Sequence, residues 1–168
     1  REIVTLPDPV LRRKARTVTN FDQNLQTLID DMIETMRDAP GVGLAAPQVG
    51  VSENVIVIEY AEPEEVEEGE EPIEVEPKLY VMVNPEIVKS SQETVFGIEG
   101  CLSIPTLVGE VERAEEIRIK GFNRRGQPMK LKASGWLARI FQHEIDHLNG
   151  VVFTDLATQI WQPDEPIE

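Results

Sequence analysis

The chain is poor in the side chains that most often bind transition metals. It holds one cysteine and two histidines in 168 residues. The lone Cys101 cannot form an internal disulfide, so the fold does not depend on oxidation and a reducing compartment is the expected setting. Long hydrophobic runs are missing too. No segment reaches the ~20 apolar residues of a membrane-spanning helix. The opening Arg1-Glu2-Ile3-Val4-Thr5-Leu6-Pro7 has no signal-peptide hydrophobic region. It also lacks an initiator Met, so it is compatible with a trimmed targeting segment. The expected location is the cytoplasm, or an organelle stroma or matrix if such a segment has been removed. Positive charge is scarce as well: 16 Lys and Arg face 31 Asp and Glu, for a net charge of -15. Such a field opposes the approach of nucleic acid.

Over half of that charge lies in one place. Residues 60–78 carry nine Glu, three Pro and a single Lys, for a net of -8. Such composition predicts a flexible, solvated acidic loop. Basic residues gather elsewhere, at Arg12, Arg13, Lys14 and Arg16, and at Arg118, Lys120, Arg124, Arg125, Lys130 and Lys132. The length predicts one domain over residues 1–168, large enough for a real core.

Periodicity outlines the elements. Phe21, Leu25, Leu28, Ile29, Met32, Ile33 and Met36 recur at helical spacing, with Asn20 or Asp22 as cap and Pro40-Gly41 as stop. Strands are expected at Val55–Ile58, Leu79–Val83, Val108–Arg113, Glu116–Phe122 and Met129–Ala133, with Asn123-Arg124-Arg125-Gly126 as the turn of a hairpin. A second helix starts near Ser134 and stops at Asn149-Gly150. The tail beyond Asp155 reads as a short helical turn followed by loose chain. The order helix, strands, helix predicts an α+β fold: mainly antiparallel sheets wrapped around a central metal-binding helix, with an N-terminal amphipathic helix.

Both histidines fall in one pentad, His143-Glu144-Ile145-Asp146-His147. Residues four apart share a helix face, so the pair can chelate one ion while Glu144 stands beside the open coordination position. Catalytic sites of this kind use three protein ligands. Downstream of the pair, only Asp155, Asp164 and Glu165 are available. Upstream, Cys101 lies in Gly100-Cys101-Leu102-Ser103 and is the better candidate, since a thiolate suits zinc or ferrous iron. The segment Gly41-Val42-Gly43-Leu44-Ala45-Ala46-Pro47-Gln48 has neither dinucleotide spacing nor a Walker lysine. Its glycines allow close backbone approach to a substrate, and Gln48 offers an amide donor for a polarised carbonyl.

The segment Gly41 to Gln48, the segment Glu99-Gly100-Cys101-Leu102-Ser103 and the segment Gln142 to His147 resemble, in order and spacing, the three motifs of the peptide deformylase family. Ile104-Pro105 resembles its type 1, bacterial and organellar branch. The resemblance implies one divalent metal on Cys101, His143 and His147: Fe2+ in the cell, with Zn2+, Ni2+ or Co2+ possible in a purified sample. It implies removal of the formyl group from N-formylmethionyl nascent peptides with release of formate. Glu144 would move the proton, and Gln48 with the backbone N–H of Leu102 would stabilise the oxyanion. Val42, Gly43, Leu44, Glu99, Trp136 and Ile140 would form the methionine pocket. Asp146 and Arg113 would brace the histidines from behind. Implied partners are the nascent chains, in transient proximity to the ribosome, with no sequence-specific nucleic-acid contact and no membrane. Two other readings stand beside it: a zinc endopeptidase of the HExxH class, and a catalytically inactive deformylase-like binding protein.

Overall fold

The structure, a computed structural model, describes residues 1–63, 66–71 and 73–163. The first helix, α1 (Gln23–Asp38), begins where the Asp22 carboxylate accepts the Leu25 N–H at 3.0 Å. This satisfies one of the orphan donors of the first turn. Its apolar stripe, Leu25, Leu28, Ile29, Met32, Ile33 and Met36, is buried as the spacing predicts. The stripe packs with Leu44, Val55, Val57 and Val83 into one core cluster.

Strands β1 (Gly43–Ala45), β2 (Val55–Tyr60) and β3 (Lys78–Ser90) are followed by β4 (Thr94–Cys101), β5 (Ile104–Ala114), β6 (Glu116–Phe122) and β7 (Pro128–Ser134). The long helix α2 (Gly135–Leu148) comes next, then the short α3 (Phe153–Leu156) and β8 (Gln159–Trp161). Among the described residues these strands make two sheets, antiparallel throughout. One has the order β1-β2-β3-β6-β7 and the other β4-β5-β8. α2 packs against strands of both. Its buried Leu137, Ala138, Ile140, Phe141 and Ile145 form a second cluster with Ile56, Ile58, Met82, Ile117 and Ile119. The α+β reading, with antiparallel sheets around a central helix, is the architecture observed.

The differences have local causes. β3 was expected only over Leu79–Val83. The strand instead continues through register shifts between Val83 and Glu86 and between Ile87 and Lys89. Asn84 takes φ 52° there, and its side chain bonds both the N–H and the C=O of Val18. β1 and β4 were not expected, since glycine interrupts both. The helical turn expected beyond Asp155 is α3, which begins earlier, at Phe153; β8 was not expected, and it pairs with β5, joining Val108 to Trp161 and Glu110 to Gln159. Ser134 does occupy the N-cap position of α2, but without a side-chain cap bond. The acidic 60–78 segment links the paired ends Tyr60 and Lys78. Glu64, Glu65 and Pro72 within it lie outside the described residues, as do Asp164 and Glu165.

Candidate metal centre and active site

Two elements deliver the three donor atoms. α2 places His143 and His147 one turn apart on a buried face, and the end of β4 places Cys101 against them. The ligand atoms of Cys101, His143 and His147 all lie within 4.8 Å of one another, and Cys101 Sγ is 3.3 Å from His147 Nε2. A thiolate and two imidazoles so arranged fit one zinc or ferrous ion with a position to spare. The other candidate third ligand that can be placed, Asp155, points elsewhere. It accepts from Arg12 Nη1 at 2.5 Å and from the Val152 N–H at 3.0 Å.

Two buried polar atoms near the centre, Glu144 Oε1 and His147 Nδ1, have no hydrogen-bond partner among the described residues. An unpartnered buried carboxylate oxygen is costly in an empty protein. A water held at the open position beside it would remove the cost. Burial pushes the Glu144 carboxyl up to about 7, against the pull of His143. Burial also takes His147 well below its ordinary value and so keeps it neutral, as a ligand must be. His143 moves the other way. Burial lowers it, but Cys101 and Glu99 hold a proton on it well above the usual range. The same negative groups favour a divalent cation.

Gly43 supplies the space Glu144 needs. A Cβ at that position would stand 2.5 Å from Glu144 Oε2. Gln48, in the 3-10 turn Ala46–Val49, is fixed at both ends of its amide. Its oxygen accepts the Ala45 N–H at 3.0 Å. Its nitrogen reaches Ser103 Oγ at 3.1 Å and Cys101 Sγ at 3.5 Å. The amide donor therefore stands beside the metal ligands. The N-terminal segment ties the 3-10 turn to the β4–β5 turn, with Val4 N–H on Gln48 O and Leu6 N–H on Ser103 O.

A cavity of about 300 Å³ opens over the centre. Val42, Gly43, Gln48, Glu99, Cys101, Leu102, Trp136, Ile140, His143 and Glu144 line it, together with Ile98 and Arg139. Val42, Ile98 and Trp136 are exposed at its mouth. Leu44 does not join them. It follows Gly43 on β1, so its side chain turns to the opposite face and is fully buried in the α1 cluster.

Behind the ligands lies a buried charged network. Glu99 Oε1 accepts from His143 Nδ1 at 2.8 Å and from Arg113 Nη2 at 2.8 Å. Its Oε2 accepts from Arg113 Nε at 2.9 Å and from Arg139 Nη1 at 2.6 Å. Arg113 also donates to Asp146 at 2.5 Å. Burial would raise Glu99, but the bonds from Arg113 and His143 hold it at about 2. Glu99, expected as a pocket wall, thus has both oxygens engaged behind His143, the arrangement that fixes a ligating imidazole. Arg113 and Asp146 do meet, as the resemblance implies. Two residues were missed, Ser103 and Arg139. Arg139 left one signal, a charge in the apolar stretch of α2 four residues before His143.

Sheets closed over a helix that carries two ligands and a carboxylate, with a third ligand from a strand, define a mononuclear metal hydrolase. The profile described as polypeptide deformylase matches residues 1–162, and the chain belongs to that family. It is 48% identical over 159 residues to the peptide deformylase of Symbiobacterium thermophilum, covering 95% of this chain and 67% of that one. To the peptide deformylase of Natranaerobius thermophilus it is 43% identical over 165 residues, covering 98% and 97%. The crystal structure of a peptide deformylase from Synechococcus elongatus in complex with actinonin matches with a TM-score of 0.80 at 39% identity, over 94% of this chain and 79% of that one.

Proposed function

We infer that this chain is a metal-dependent peptide deformylase, removing the formyl group from N-formylmethionyl ends of nascent peptides and releasing formate. The observation that carries the site assignment is the convergence of Cys101, His143 and His147 beside the unpartnered Oε1 of Glu144. The three residues hold one divalent ion, ferrous iron in the cell, with zinc, nickel or cobalt able to replace it in a purified sample. When bound, the ion acidifies a water and polarises the formyl carbonyl.

The protein's own groups do the rest. Glu144 takes up the proton of the attacking water and delivers it to the leaving amine, and a carboxyl pushed up to about 7 is matched to both tasks. Gln48 Nε2 and the backbone N–H of Leu102 stabilise the charge that develops on the formyl oxygen. Val42, Trp136 and Ile140 receive the methionine side chain, while Gly43 keeps the carboxylate of Glu144 unobstructed. Arg113 and Asp146 act from behind, through Glu99 and the helix. Residues 1–168 work as one catalytic domain. The substrates emerge from the ribosome, so the enzyme acts in transient proximity to it, in the cytoplasm or an organelle stroma or matrix.

Cys101→Ala tests the ligand set. Metal analysis should find far less than one ion per chain, and formate release should be lost. A full complement of metal in the variant would show that Cys101 is no ligand and favour the zinc endopeptidase reading.

A further inference from the structure

Arg139 lies outside every role assigned so far. It is 4% exposed, in a stretch of α2 otherwise occupied by Leu137, Ala138, Ile140 and Phe141. Burying a guanidinium there carries a desolvation cost. Arg113 already grips both oxygens of Glu99, so a simple buried ion pair is complete without Arg139. Its two terminal nitrogens are nonetheless directed at three partners. Nη1 bonds Glu99 Oε2 at 2.6 Å and the Val111 carbonyl at 2.9 Å, and Nη2 bonds the Val95 carbonyl at 2.7 Å. The other side of the guanidinium lies 5.4 Å from the ring centre of Trp136 at the cavity mouth. β4 leaves it room by placing glycine opposite: a Cβ at Gly97 would stand 2.7 Å from Arg139 Cζ.

The spacing gives this arrangement a purpose. Arg139 and His143 are four residues apart and share a face of α2. Both reach the same carboxylate, Arg139 through Oε2 and His143 through Oε1. We propose that Arg139 is a positioning residue of the reaction: it fixes the plane of the Glu99 carboxylate that orients His143, and it seats Trp136 at the mouth of the pocket. It thereby ties the metal ligands, the β4 edge beside the cavity and the substrate pocket into one rigid unit. A planar fork can hold these three directions at once, whereas a lysine ammonium supplies the charge without the geometry. The proposal rests on the deformylase reading of the same site.

The test uses full-length protein loaded with one Co2+ per chain, whose visible absorption reports ligand geometry. Arg139→Lys, Arg139→Gln and Gly97→Ala are compared with wild type. Gly97→Ala leaves the arginine present but pushes it from its seat. The expected result is an altered cobalt spectrum in all three. On a formyl-Met tripeptide, kcat should fall by about 10–100-fold, the usual cost of disturbing a group behind a metal ligand. KM should rise in Arg139→Gln, and Trp136→Ala in that background should add little further. Wild-type spectrum and kcat in folded Arg139→Gln and Gly97→Ala, whatever their thermal stability, would overturn the proposal and leave Arg139 a packing residue. If the wild type itself releases no formate, the deformylase reading fails, while the cobalt spectra still decide whether Arg139 positions His143.

Discussion

Glu144 and Glu99 are both buried carboxyls lining one cavity, and their surroundings drive their acidities apart. Glu99 has two arginines and a histidine and stays ionised to about pH 2. Glu144 has an unpartnered oxygen and is pushed up to about 7. In the proposed mechanism this separation suits Glu99 to a structural anion and Glu144 to the acid-base group. Glu144→Ala is expected to keep its metal and to lose about 10²–10⁴-fold in kcat, since proton delivery fails. Steady-state formate release measured beside metal analysis checks this, and near-full rate in the variant would remove Glu144 from the role. At this scale the sequence was readable where residue types are rare. Two histidines and one cysteine left few ways to build a ligand set. It was least readable where a role arises across strands. Glu99 reads as a motif glutamate, and only the fold shows both its oxygens committed to Arg113, Arg139 and His143.

The elements explain why the network is built as it is. β4 carries Glu99 and Cys101, β5 carries Arg113, and α2 carries Arg139, Asp146 and both histidines. Glu99 therefore joins a sheet to the central helix. Its depressed acidity is a stability statement with a definite sign. A carboxyl that is at about 2 when folded and near 4.5 otherwise stabilises the protein above pH 4.5 and loses that contribution as pH falls toward 2. The shift corresponds to about 3 kcal/mol, as an order of magnitude. Urea unfolding of wild type and Glu99→Gln, from pH 6 to 2.5, should show the gap between them narrowing through that window. A gap independent of pH would mean Glu99 is not ionised by its partners. Helices and hairpin were legible because their periodicity is undisturbed: α1 starts at its cap, and β6–β7 turns at Asn123 to Gly126. β4 was hidden because Gly97 and Gly100 replace the residues that would signal a strand. At Gly97 the reason is room for Arg139. β8 was hidden because a three-residue strand owes its order to its partner β5, not to its own propensity.

Across the whole molecule, charge and chemistry are kept apart. Over half of the net charge of -15 lies in residues 60–78, and none of the described residues among these lines the cavity over the metal centre. The segment begins and ends at Tyr60 and Lys78, which are paired neighbours on β2 and β3, so a short turn can close the same hairpin. Replacing residues 62–76 with such a turn should leave kcat/KM for a neutral formyl-Met tripeptide unchanged. A large fall would mean the acidic segment serves the site. No helix among the described residues is long and apolar enough to cross a membrane. The sheets enclose α2, and its ligand face meets β4, β5, Phe153 of α3 and the Gly43–Gln48 wall. The central claim is that this enclosed face, with Cys101, removes formyl groups. The most direct measurement is formate release from a formyl-Met tripeptide by protein loaded anaerobically with one Fe2+ per chain. The account predicts multiple turnovers, abolished by removing the metal and restored by adding it back. Full metal content with no formate released would contradict it.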